Sequence, residues 1–145
     1  MAAPTIHASA VLVGPRAVLI RGPAGSGKSR LVWAMLEAAQ SGRLRFARLV
    51  ADDRAHVEAV NGRLLVRPAD ELAGLIEVHG LGIRRLPYEP VAATGWVVDL
   101  AAAEPERLPK RGETTVAGVR LARLPVAAEA DPARLLLALL TTQAV

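Results

Sequence analysis

The 145-residue sequence predicts an α/β fold: a mixed β-sheet with hairpins and a few helices, organised around a P-loop. Three observations carry this. An eight-residue stretch from Gly22 to Ser29 matches G-x-x-x-x-G-K-[ST] in full, between an apolar run of strand type and a run of helical spacing. Short β-branched apolar runs recur along the chain and bracket turn pairs such as Gly14-Pro15 and Asn61-Gly62. Several hairpins exclude an all-parallel sheet, so the sheet must be mixed.

In chain order, Ala8–Val13 and 17–21 read as two strands of a hairpin turning at Gly14-Pro15. After the glycine loop, Leu31, Val32, Met35 and Leu36 recur at helical spacing as far as Gly42. Residues 46–51 form a buried strand ending in Asp52-Asp53, and 57–60 with 64–66 flank the hairpin turn Asn61-Gly62. The spacing predicts a short helix over 68–75, then one bent strand over 76–83 interrupted by Gly80 and Gly82. Residues 91–100 form another buried strand, 105–112 a polar loop, and 114–116 with 119–124 a hairpin around Gly118. Asp131-Pro132 caps a closing helix over 133–140, with Pro in its first turn.

Hydrophobic residues are 52% of the chain and charged residues 22%, a globular composition, while 3% aromatics require an aliphatic core. The length suits a single domain, 1–145. All but Lys28 and Lys110 of the 18 basic residues are Arg, scattered and nearly balanced by 14 acidic ones to a net +4, with no dense block of the kind nucleic acid requires. Without cysteine there is no disulfide, thiolate metal site or cysteine nucleophile, and a reducing cytoplasm fits. No basic region precedes an apolar run as in a signal peptide, and no uncharged apolar run approaches the roughly 20 residues of a membrane-spanning helix, so a soluble protein is expected.

The chemistry starts at Gly22, Pro23, Ala24, Gly25, Ser26, Gly27, Lys28 and Ser29. With this composition the fixed positions match by chance roughly once in a thousand sequences. Glycines let successive backbone N–H groups turn inward around an anion, and the following helix aims its positive end at the same point. Lys28 would meet the β- and γ-phosphates, and the Ser29 hydroxyl is a hard ligand for Mg²⁺. Asp52 and Asp53 stand where a nucleotide enzyme needs a carboxylate near the metal or the attacking group, although a solvated turn fits them equally well. Trp33 and Trp96 read as core, and His56, Arg84-Arg85 and Lys110-Arg111 as solvated, the basic pairs being able to meet an acidic partner.

His7, the loop Gly-Pro-Ala-Gly-Ser-Gly-Lys-Ser, Leu49-Val50-Ala51-Asp52-Asp53, and Ile76-Glu77-Val78-His79-Gly80-Leu81-Gly82-Ile83 together resemble the bacterial HPr kinase/phosphorylases. The likeness runs from about residue 7 to 108, ending in Glu104-Pro105-Glu106-Arg107-Leu108, and is similar to the short alphaproteobacterial form without the family's N-terminal domain. It implies a P-loop-containing kinase domain, dependent on ATP and Mg²⁺, that phosphorylates a serine of the phosphocarrier HPr and so regulates the phosphotransferase system and carbon metabolism. It also implies reverse phosphorolysis of phosphoserine-HPr and a hexameric assembly. Carried over, the catalytic residues are Asp53 as acid/base with His7 beside it, Lys28 and Arg107, while Ser29, Glu77 and Asp52 serve the metal. Three positions depart from the family: His79 replaces an Arg, Arg30 an acidic residue, and 124–131 hold no counterpart of its Gly-Arg-Asn-like segment. Two other classes stay open on the residues alone, a small-metabolite P-loop kinase or NTPase and a nucleotide-binding regulator with degraded catalysis.

Overall fold

The computed structural model describes residues 4–102 and 112–145. Arg107, the segment around it and the basic pair at 110–111 lie outside the described residues. In chain order the elements are β1 (Thr5–Ile6), β2 (Ala8–Val13), β3 (Arg16–Arg21), α1 (Lys28–Gln40), β4 (Ala47–Ala51), β5 (Ala55–Val60) and β6 (Arg63–Pro68), then β7 (Leu75–Val78), β8 (Gly82–Arg85), β9 (Ala92–Leu100), β10 (Glu113–Val116), β11 (Val119–Val126) and α2 (Pro132–Thr141). Nine strands form one mixed sheet in the order β1-β5-β6-β9-β3-β2-β4, with β11 also on β9 and β10 on β11.

Strand β9 is the junction. It runs parallel to β3 along one edge, while its other edge takes β6 antiparallel at Ala92 and Ala93 and then β11 parallel from Trp96 to Leu100. Continuous apolar runs are needed for this because both faces are covered. On β3, Val18 and Ile20 face α1 (Leu31, Val32, Met35) and Leu136 of α2, while Ala17 and Leu19 face the opposite way, toward Ala55, Leu64 and Val66 of the β5–β6 hairpin. All of these side chains are buried. Asn61 and Gly62 both have positive φ, 50° and 77°, as the two-residue turn of that hairpin demands. Asp131 caps α2 by accepting from the amides of Ala133 and Arg134 at 3.1 and 3.3 Å.

Two sequence expectations are corrected. The helix expected over 68–75 shrinks to one 3-10 turn, Asp70–Leu72: Pro68 ends β6 opposite Ala55, and Leu75 already begins β7. Between them Gly74 takes φ 77° against the Tyr88 ring, a conformation no helix continues through. The single strand expected over 76–83 is a hairpin, because Gly80 and Gly82 at φ 87° and 91° turn the chain back so that β8 pairs antiparallel with β7 in a separate two-stranded sheet. Trp33 and Trp96 pack against the core as expected, and His56 is half-buried with Nδ1 3.3 Å from the Pro4 carbonyl. Among the described residues no helix is long and apolar enough to cross a membrane.

Candidate active site

Strands β3, β4, β9 and β11 all point the same way, so their carboxyl ends lie along one edge of the sheet, where the antiparallel β2 begins. In open α/β sheets that edge is where ligands bind. Here it gathers the glycine loop after β3, Asp52-Asp53 after β4, and His7 and Ser9 at the start of β2.

The loop is built for an anion. Gly25 and Gly27 take φ 78° and 102°, and a Cβ on Gly22 would stand 2.5 Å from Ser26 Oγ and 3.0 Å from Leu100 Cβ. Helix α1 starts from Gly27 with no side-chain cap and no acidic residue in its first turn, so its terminal amides and dipole are left to a ligand. Lys28 is buried, and its ammonium donates to the carbonyls of Gly22 and Pro23 at 3.0 and 3.3 Å with no carboxylate partner among the described residues. Ser26 Oγ is buried without a hydrogen-bond partner. An uncompensated cation and an orphaned hydroxyl in a concave backbone fit a phosphate group.

Asp52 and Asp53, adjacent in sequence, part company in space. Asp52 is 7% exposed and both its oxygens are engaged: Ser9 Oγ donates at 2.8 Å, Ser29 Oγ reaches both oxygens at 2.7 and 2.8 Å, and the Glu77 amide donates at 3.1 Å. Asp53 takes φ 68°, a left-handed conformation that Asp tolerates better than most residues, and its side chain turns outward with 58% exposure. Its amide donates to Ser9 Oγ at 3.0 Å, and its Oδ1 lies 2.5 Å from Nε2 of His7. Ser9 thus links the two carboxylates, and nothing in its residue type marked it in the sequence.

Glu77 is exposed on β7, brought to this edge because its own amide binds Asp52. Among the described residues no three His, Cys, Asp or Glu side chains form a metal cage. The Ser29 hydroxyl with Asp52 and Glu77 is instead the partial oxygen set that suits Mg²⁺ shared with phosphates and water. His79 is exposed in the β7–β8 turn.

A cleft of about 470 Å³ lies along the other flank of the loop, lined by Pro23 to Gly27, Arg30, Leu100, Ala101, 126–128 and the start of α2. Neither Ser29 nor the two aspartates line it, so the loop separates the cleft from the carboxylates.

Sequence reasoning also missed the ion cluster at the root of the loop. Arg21, the residue before Gly22, grips Asp99 with two bonds of 2.8 Å and reaches Thr114 Oγ1 at 3.3 Å, while Arg123 Nε donates to Asp99 from the other side. Burial opposes ionisation of Asp99, but hydrogen bonds and charge attraction from Arg21 and Arg123 outweigh it and hold the carboxyl below the usual range. Only the pairing of Arg21 and Pro125 with Asp99 on the two edges of β9 brings these residues together.

No family model matches the chain. Among curated proteins, 78 residues are 36% identical to the HPr kinase/phosphorylase of Clostridium beijerinckii; the match takes in 54% of this chain and 24% of that protein, so the chain spans about a quarter of its relative's length. Among solved structures, the HPr(Ser) kinase/phosphatase from Coxiella burnetii matches with a TM-score of 0.74 at 22% identity, over 94% of this chain and 93% of that one, which shows a shared fold. The resemblance read from the motifs is found again by both comparisons.

Proposed function

We propose that residues 1–145 are a single P-loop catalytic domain that transfers the γ-phosphoryl group of Mg-ATP to a serine of HPr. One observation carries this reading: a phosphate cradle, a buried hydroxyl–carboxylate pair and an exposed carboxylate held by a histidine meet at one sheet edge. The cradle and Lys28 take the phosphates, and the cleft beyond the loop has the volume for a nucleoside. Ser29, Asp52 and Glu77 are the groups that would hold Mg²⁺, which when bound offsets phosphate charge.

Asp53 is the base by elimination as well as by resemblance. Asp52 has both oxygens committed, whereas Asp53 is open to solvent on one side and bonded to His7 on the other. As the serine oxygen bonds to phosphorus and the bond to the departing ADP breaks, the serine proton passes to the Asp53 carboxylate, and His7 keeps that carboxylate oriented. In the reverse direction protonated Asp53 returns the proton to the serine oxygen while inorganic phosphate attacks phosphoserine. Arg107 joins the catalytic set by resemblance, as does assembly into a hexamer, and a chain without cysteine suits the cytoplasm.

Single-turnover transfer from labelled ATP to purified HPr, at saturating Mg²⁺, tests the reading. Asp53→Asn should bind ATP normally and transfer roughly 10²- to 10⁴-fold more slowly. Asp52→Asn should alter metal dependence as well as rate. A fast Asp53→Asn beside a dead Asp52→Asn reverses the two roles, and two active variants remove the carboxylate mechanism.

A further inference from the structure

The β7–β8 hairpin carries a feature that phosphoryl transfer does not use. Its register sets Glu77 opposite Ile83, Leu75 opposite Arg85 and Ile76 opposite Arg84. Directly paired residues share a face, so Glu77, Ile83 and Arg85 stand on one side of the hairpin and Ile76, buried in the core, on the other. Leu81 in the turn and Ile83 are 69% and 71% exposed, an unusual cost for two large aliphatic side chains on so short an element. Every residue of β8 is exposed, and among the described residues neither Arg84 nor Arg85 has a carboxylate partner. The same strip begins at Glu77, whose amide holds the carboxylate beside Ser29.

We propose that this outward face of the hairpin is where the acceptor protein docks, through a surface that presents an apolar residue flanked by carboxylates close to its reactive serine. The inference rests on the kinase reading and says where its protein substrate sits. An aliphatic centre with a basic margin is the anatomy of a protein interface, and unpaired guanidiniums select an acidic partner and speed its approach. Continuity with Glu77 sets the docked surface beside the transferring phosphate, whereas a small acceptor would need only the site itself.

The test uses steady-state transfer to HPr by the full chain and two double variants, Leu81→Ser/Ile83→Ser and Arg84→Glu/Arg85→Glu, with Mg-ATP affinity measured alongside to show that each is folded. Each variant should raise KM for HPr by about ten-fold or more and leave kcat and Mg-ATP affinity within about two-fold of wild type. Added salt should raise the wild-type KM more than that of the charge-reversed protein. An unchanged KM in both variants, with the wild type active, overturns the docking face and leaves the kinase reading standing. A raised KM accompanied by a smaller species in sedimentation also overturns it, because the face then joins copies of this chain. A wild type that transfers nothing to HPr brings down the kinase reading and the docking face together.

Discussion

Asp52 and Asp53 show how far function can turn on one backbone angle. With φ at 68°, Asp53 reverses the direction of the chain directly after β4, so that one carboxylate points into the loop and the next points out of it. Sequence gives the pair and its place at a strand end; it does not give the angle, which is why a solvated turn fitted those residues as well as a catalytic one. Lys28 was legible for the opposite reason, since its spacing from the glycines leaves one chemical use for it. Held by two carbonyls and by no carboxylate among the described residues, its ammonium is stabilised further when an anion arrives. Lys28→Ala should therefore weaken Mg-ATP binding by about ten- to hundred-fold in calorimetry, the loss expected of a charge-assisted bond. Unchanged affinity would remove the loop from the nucleotide site. For Glu77, Glu77→Gln keeps the backbone amide that binds Asp52 and removes only the carboxylate charge, so the Mg²⁺ concentration for half-maximal activity should rise. Superimposable metal curves would make Glu77 a structural residue.

At the scale of elements, the glycine loop works because two short side chains are already packed where a third atom would have to go. In Gly22→Ala the new Cβ meets Ser26 Oγ at 2.5 Å, well inside contact, while Leu100 at 3.0 Å blocks retreat toward β9. Mg-ATP affinity should fall by about ten-fold or more while the strands and α1 persist by circular dichroism. Compared within a Ser26→Ala background the same change should cost less, since the closest atom is gone; an equal loss in both backgrounds would place the effect outside the loop's geometry. The elements that sequence reading misjudged share a cause. Residues 68–75 are framed by a proline that belongs to a strand and a glycine pressed on Tyr88, and residues 76–83 look like one apolar run because Leu81 and Ile83 are apolar without being buried. Hydrophobic periodicity assumes that apolar side chains face a core, and it fails where they face outward.

For the whole molecule, the hairpins were readable from turn residues, but the junction at β9 was not. Its partners β3, β6 and β11 come from distant parts of the chain, and which of them lies on which edge follows from how the two cores are covered. The cluster of Arg21, Asp99 and Arg123 ties the three parallel strands β3, β9 and β11 together at the edge where the site lies. Because Asp99 is held ionised below its ordinary range near 3.8, it binds fewer protons folded than unfolded as acid is added. Its contribution to stability is thus full above the unfolded value and is lost as pH falls through the lower folded one. Asp99→Asn removes the charge that two guanidiniums share, at a cost of about 2 kcal/mol near neutral pH, or roughly 4–8 °C in melting temperature. The variant and wild type should then converge as both are acidified toward pH 3 and below, where the wild-type carboxyl takes up its proton. Urea unfolding across that range reads the difference directly. A gap that persists unchanged at low pH would mean that Asp99 serves through packing rather than through its charge.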